Sequence, residues 1–186
     1  RYEGDGKFDV MELPYASRYP NNMVLAIAGN SRKLGAVWLG TEGGLVEFDI
    51  AGNSFGHYLD NNPVKSFHYD ADGALWIGTD NGLYVMAADG VFSKYGHEVG
   101  NPHSIANDVV WGIFSDRTGN VWLGTDGGVS AMLANRAYRF RDIRDITGST
   151  DGNDIMSMCR DGRGTLWLGG FGGLIGYDTT NGESVW

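Results

Sequence analysis

One cysteine, Cys159, stands in the whole sequence, so no intrachain disulfide can staple the fold. A lone buried cysteine behaves as a small hydrophobe, and its presence fits either a cytosolic or a bacterial periplasmic protein. Proline is scarce at 4 residues. Glycine is abundant at 30 but follows no Gly-X-Y period, which excludes collagen and suits tight turns between short strands. No apolar run approaches the ~18–20 residues of a membrane helix, so direct membrane insertion is not expected. Basic residues are outnumbered 14 to 23, leaving a net charge of −9. Such a surface repels phosphate backbones, and nucleic acid is not an expected partner. A signal peptide and an initial Met are also missing. The chain starts at Arg1 and reads as an excised segment or a processed product.

Familiar catalytic signatures are missing too. There is no Gly-x-Ser-x-Gly elbow, no phosphate loop and no His-Glu-x-x-His. His57, His68, His97 and His103 have no metal-like spacing. No metal and no cofactor are expected. Carboxylates are many, but their number alone does not make a glycosidase.

What is present is repetition. The chain of 186 residues, 42% hydrophobic and 12% aromatic, is long enough for one domain with a real core. Four stretches in it are copies of one another: Trp38-Leu39-Gly40-Thr41, Trp76-Ile77-Gly78-Thr79, Trp122-Leu123-Gly124-Thr125 and Trp167-Leu168-Gly169-Gly170. Their tryptophans stand 38, 46 and 45 residues apart, a period that marks a repeat architecture.

Each repeat follows one grammar. An apolar strand comes first, then a turn, which in three repeats is Asp-x-x-Gly, at Asp70–Gly73, Asp116–Gly119 and Asp161–Gly164. Asp bonds the backbone ahead and Gly accepts positive φ. The first repeat is two residues longer here, from Asn30 to Gly35. The Trp strand, a Gly-rich turn, a third strand and a more polar fourth strand complete the unit. Four short antiparallel strands per ~40–45 residues make a propeller blade. The expected fold is therefore all-β, a β-propeller segment of about four four-stranded antiparallel blades. One domain or partial propeller fills residues 1–186. Its blades fall near 23–59, 64–95, 108–143 and 154–186, with 7–13 as an extra outer strand.

Along the Trp strand, Val37, Leu39 and Thr41 share one face and Trp38 and Gly40 the other. Neither face suits water, so blades must stack on one another. Long connections at 96–107 and 144–153 share a rim with the Gly-rich turns, where function is expected on a rigid scaffold.

The pattern Asp-x-x-Gly-x-(Leu/Val)-Trp-(Leu/Ile)-Gly-Thr-x-x-Gly-Leu resembles the two-component regulator propeller repeat. Residues 70–83 and 116–129 match it most closely, and Asn101-Pro102-His103-Ser104-Ile105 is similar to that family's inter-blade segments. The resemblance implies the periplasmic sensor region of a Bacteroides-type hybrid two-component histidine kinase. Such receptors are inner-membrane proteins with seven-bladed propellers that sense oligosaccharides from polysaccharide breakdown, and a kinase lies downstream. It implies a non-catalytic binding role, with an oligosaccharide ligand and other propeller domains or a second copy of the chain as partners. Seven blades at this period need about 300 residues, so the chain is an arc of a larger propeller or a small closed ring. Propeller lyases and glycosidases also repeat a Trp-bearing strand, which leaves an enzyme, or a pure assembly module, as alternatives. Blade four departs from the pattern, with Gly170 for Thr and Phe171 for the acidic residue.

Six residues are candidates for a ligand site at the rim or hub. Asn22, Asn62, Asp108 and Asn153 each lie eight residues before the Asp-turn position. They suit hydrogen bonds to sugar hydroxyls, or equally cap the start of each inner strand. Trp111 has no Trp counterpart in the other first strands. It either stacks on a sugar or fills the core. Phe171 is an aromatic in a turn that is acidic elsewhere, a ligand platform or a packing residue. Glu42, Asp80 and Asp126 raise a calcium reading, against which turn chemistry is preferred. Arg136, Arg139, Arg141 and Arg144 alternate partly with aromatics, a pattern better explained by edge-strand protection than by an acidic glycan.

Overall fold

The computed structural model describes Gly6 and residues 23–134, 140–142, 154–178 and 183–184. The expected outer strand at 7–13, the connection at 144–153, and Asn22, Asn153, Arg136, Arg139 and Arg144 lie outside the described residues. Within them the chain is all strand and turn. It forms four antiparallel sheets of four strands, each sheet built from consecutive strands.

The first sheet holds β1 (Val24–Gly29), β2 (Ala36–Thr41), β3 (Gly44–Asp49) and β4 (Ser54–Tyr58). The second holds β5 (Val64–Tyr69), β6 (Leu75–Thr79), β7 (Gly82–Met86) and β8 (Phe92–Tyr95). The third holds β9 (Val110–Ser115), β10 (Val121–Thr125), β11 (Gly128–Met132) and β12 (Phe140–Asp142). The fourth holds β13 (Ile155–Arg160), β14 (Thr165–Gly170), β15 (Gly173–Asp178) and β16 (Glu183–Ser184). The first strand of each sheet is innermost: β1 lies against β5, β5 against β9, and β9 against β13. The four blades thus fan around a hub lined by these strands.

The Trp strands of the first three blades are buried on both faces, and for a common reason. Trp38 and Leu45 of the first blade pack with Val64, Leu75 and Ile77 of the second. Trp76, Leu83 and Val85 of the second pack with Val110, Val121 and Leu123 of the third. Trp122, Val129 and Ala131 of the third pack with Ile155, Leu166 and Leu168 of the fourth. The Trp face of one blade therefore meets the Leu/Ile face of the next. Glycine beside each of the first three tryptophans is required by this contact. A Cβ on Gly40 would stand 2.7 Å from the Val64 carbonyl oxygen, one on Gly78 2.7 Å from that of Val110, and one on Gly124 2.6 Å from that of Ile155.

At the two ends of the arc the same positions are exposed. Val24, the counterpart of the fully buried Val64 and Val110, is 40% exposed. Leu174, the counterpart of the fully buried Leu45 and Leu83, is 64% exposed. A Cβ on Gly169 would meet only Ser157 of its own blade within 4 Å. Among the described residues the four blades form an open arc whose ends present apolar faces.

Two side-chain devices repeat within the blades. In the second to fourth blades, the Asp of the Asp-x-x-Gly turn accepts a hydrogen bond from the indole N–H six residues on. Trp76 Nε1 donates to Asp70 at 2.8 Å, Trp122 to Asp116 at 3.0 Å and Trp167 to Asp161 at 3.1 Å. In the first blade Asn30 stands in that place and donates its amide to Glu47 instead. The Trp38 indole N–H is buried without an acceptor among the described residues. The second device is the threonine that ends the Trp strand. Thr41, Thr79 and Thr125 each donate to the carbonyl three residues ahead and accept from the N–H two ahead, which closes the turn. In the fourth blade the Asp154 carbonyl occupies the space of a Cβ at position 170, which explains Gly170.

Candidate ligand site at the hub mouth

Each inner strand carries a β-bulge at the same height. Pairing runs Val24 to Thr41 and then Ala26 to Gly40, so Leu25 is skipped. In the other blades Lys65, Trp111 and Met156 are skipped in the same way. A bulge unpairs one residue and re-aims its side chain. The residue just before it, Val64, Val110 or Ile155, is the one that plugs the glycine notch of the preceding blade. Interblade packing therefore fixes the bulge, and the bulge presents one further side chain per blade at the hub.

Those four side chains are Leu25, Lys65, Trp111 and Met156. None of them belongs to any of the apolar core clusters of the described residues. Two of them stand against the acidic turn residue of their own blade. In the second and third blades the two positions are 15 residues apart and touch. The Lys65 ammonium lies 3.0 Å from Asp80 Oδ1. The Trp111 indole N–H donates to Asp126 Oδ1. The two pairs also meet each other, because the Lys65 Nζ sits over the Trp111 ring, 3.9 Å from its centroid. A cation over an indole face is attracted by the ring quadrupole. Lys65 is 13% exposed and Asp80 39%. In the fourth blade the same spacing separates Met156 from Phe171, both exposed.

The turns themselves are anchored at their base. The Glu42, Asp80 and Asp126 N–H groups donate to the carbonyls of Met23, Pro63 and Val109, just ahead of the inner strands. Among the described residues no group of three or more His, Cys, Asp or Glu side chains is arranged to hold a metal ion.

The structure separates the candidate residues. Asp108 Oδ1 accepts the His97 N–H at 2.7 Å, and its carbonyl accepts the Gly82 N–H at 2.7 Å. Its contacts close the 96–107 connection, which is further pinned by Ala106 N–H to Ser130 Oγ at 2.8 Å. Asn62, at the equivalent place, is 5% exposed. Neither of its amide atoms has a hydrogen-bond partner among the described residues. Trp111 is half-buried in the bulge cluster, and Phe171 is 76% exposed on its turn. Lys65 escaped the sequence reading, and Asp80 and Asp126 entered it only as calcium or turn residues. The available signal was position: Lys65, Trp111 and Met156 each follow the first buried aliphatic of their inner strand, and they differ from blade to blade.

Deeper along the same strands, His68 of β5 and Ser115 of β9 share a hydrogen bond of 2.6 Å between Nε2 and Oγ. Burial lowers the His68 pKa, against the opposing pull of Asp70.

Blades stacked about a hub in this way define a β-propeller structure. The profile of the two component regulator propeller family matches residues 58–81, 104–127 and 149–172. Each match spans an inner strand, its bulge and the Trp strand, so the second, third and fourth repeats are two-component regulator propeller repeats. The extracellular domain of the hybrid two component system BT4673 from B. thetaiotaomicron is 36% identical over 88% of this chain, with a TM-score of 0.55. This chain spans 23% of the length of that one. Virginiamycin B lyase from Staphylococcus aureus is 16% identical, with a TM-score of 0.59, over 86% of this chain and 53% of that one. An ancestral GH74 enzyme is also 16% identical, with a TM-score of 0.65, over 89% and 26%. At that identity the two enzymes share the fold alone. No curated protein matches the chain.

Proposed function

We propose that this chain is a non-catalytic part of the sensor propeller of a hybrid two-component receptor. It lies on the outer, periplasmic side of the inner membrane and takes an oligosaccharide. The observation that carries this reading is the family's repeat together with the 36% identity to the BT4673 extracellular domain over 88% of the chain. A rigid fan of blades with variable residues at the hub mouth suits recognition, because a scaffold fixes side chains that differ from blade to blade. The apolar ends of the arc suit contact with another propeller segment or a second copy of the chain.

Calorimetric titration of the full-length protein with an oligosaccharide panel, with product analysis of the same mixtures, tests the reading. Binding without turnover is the expected result. Turnover of any bound sugar overturns the non-catalytic assignment and favours a propeller enzyme. Absence of binding across the panel overturns oligosaccharide sensing.

A further inference from the structure

We propose that Lys65, Asp80, Trp111 and Asp126 form a binding subsite for an uncharged, hydroxyl-rich sugar, and that the site discriminates against uronate and sulfated glycans. This rests on the sensor reading above and adds the location and charge class of the ligand.

The location follows from how the repeat divides its positions. Trp, Gly and Thr recur in the blades because they perform the same packing in each. The bulge position shares a backbone geometry but not a side chain, since Leu25, Lys65, Trp111 and Met156 occupy it. Trp111 is the clearest case. An indole is among the largest apolar groups a core can use, yet Trp111 lies outside every core cluster of the described residues. It is held in place by polar partners instead, with Asp126 at its N–H and the Lys65 ammonium over its ring. A ring fixed at its edge and on one face is preorganised for an incoming group, which lowers the entropy lost on binding. In the second blade, the buried amide of Asn62, unpartnered among the described residues, immediately precedes Pro63, whose carbonyl anchors the Asp80 turn.

The charge class follows from the same four residues. Lys65 is largely buried and already paired with Asp80. Asp126 adds a second carboxylate, so the cluster carries one net negative charge. The chain as a whole, these residues included, carries a net charge of −9. An anionic sugar entering here meets carboxylates with no cation left to receive it, and like charges at short range repel. Sugar hydroxyls meet acceptors they can donate to, because an ionised carboxylate only accepts. The sugar's C–H face meets the indole, with the exposed Leu25 and Met156 side chains at the same bulge position in the flanking blades.

The test is calorimetry on the full-length protein with neutral arabino-, xylo-, manno- and gluco-oligosaccharides. Oligogalacturonates, sulfated chondroitin disaccharides and chitosan oligomers form the comparison set. The variants are Trp111→Ala, Trp111→Phe and Lys65→Met, each checked by circular dichroism for an intact fold. At least one neutral oligosaccharide is expected to bind more tightly than every charged one. Its affinity should fall at least tenfold in Trp111→Ala and Lys65→Met, and by a smaller factor in Trp111→Phe, which carries the test if the alanine variant does not fold. Tighter binding of an acidic or amino-sugar oligomer overturns the charge class. Neutral-sugar affinity within threefold of wild type in the folded variants overturns the site but leaves the sensor reading standing. No binding by any probe overturns both.

Discussion

At the scale of single residues, the turn Asp and the Trp six places later act as a unit. The sequence displays both, but as separate signals: a turn residue and a core aromatic. Their hydrogen bond is legible only once the β-hairpin folds the indole edge back over the turn. It explains why these turns use Asp where Asn or Ser would also start a turn. Burial pushes the Asp116 carboxyl upward, but hydrogen bonds from Thr118, Trp122 and Asn120 outweigh it and leave its pKa below the ordinary value. The Trp167 indole lowers that of Asp161 against a smaller opposing effect of burial, with backbone N–H groups assisting. Asp116→Ala orphans the Trp122 N–H, which is expected to cost about 1–3 kcal/mol in urea unfolding.

The same groups set the acid response. A carboxylate whose folded pKa is depressed stabilises the fold fully above its unfolded value of about 3.9, and that stability is lost as pH falls through the folded value. His68 acts earlier, since its folded pKa is also depressed. Its contribution is complete above about pH 6.5 and is lost as pH drops toward its lowered folded value. Urea midpoints measured against pH should therefore decline in two stages, one beginning near pH 6.5 and one below about pH 4. His68→Gln should remove the first stage and leave the second.

At the scale of elements, the bulged inner strand joins packing to presentation. The alternation of the Trp strand announced two buried faces, and the neighbouring blade supplies what fills the glycine notch. The bulge itself left no trace in composition, because an inner strand with one extra residue still reads as a short apolar run. That is why Trp111 was visible as an oddity while Lys65, one blade earlier at the same position, was not. A methyl group at Gly124 would press on the Ile155 carbonyl. Gly124→Ala should thus force the third and fourth blades apart and cost about 1–3 kcal/mol, measured as a lowered unfolding midpoint.

At the scale of the whole molecule, the blade count and the all-β architecture were readable because each repeat announces itself with the same Trp-(Leu/Ile)-Gly signature. The open arc was one of two alternatives, and it agrees with the exposure of the end blades among the described residues. Equivalent leucines should then differ in worth. Leu83 is fully buried beneath the third blade, and Leu83→Ala should cost about 2–5 kcal/mol. Leu174 is 64% exposed at the end of the arc, and Leu174→Ala should stay within about 0.5 kcal/mol in this chain.

The central claim is that the row of bulges at the hub mouth is where this propeller meets its ligand. Hydroxyl-radical footprinting of the full-length protein, read by mass spectrometry with and without a saturating oligosaccharide, tests it most directly. The account predicts slower oxidation at Trp111 and Met156, with Met23 and Trp167 unchanged. Unaltered oxidation of Trp111 and Met156, with protection appearing elsewhere on the protein, would contradict it.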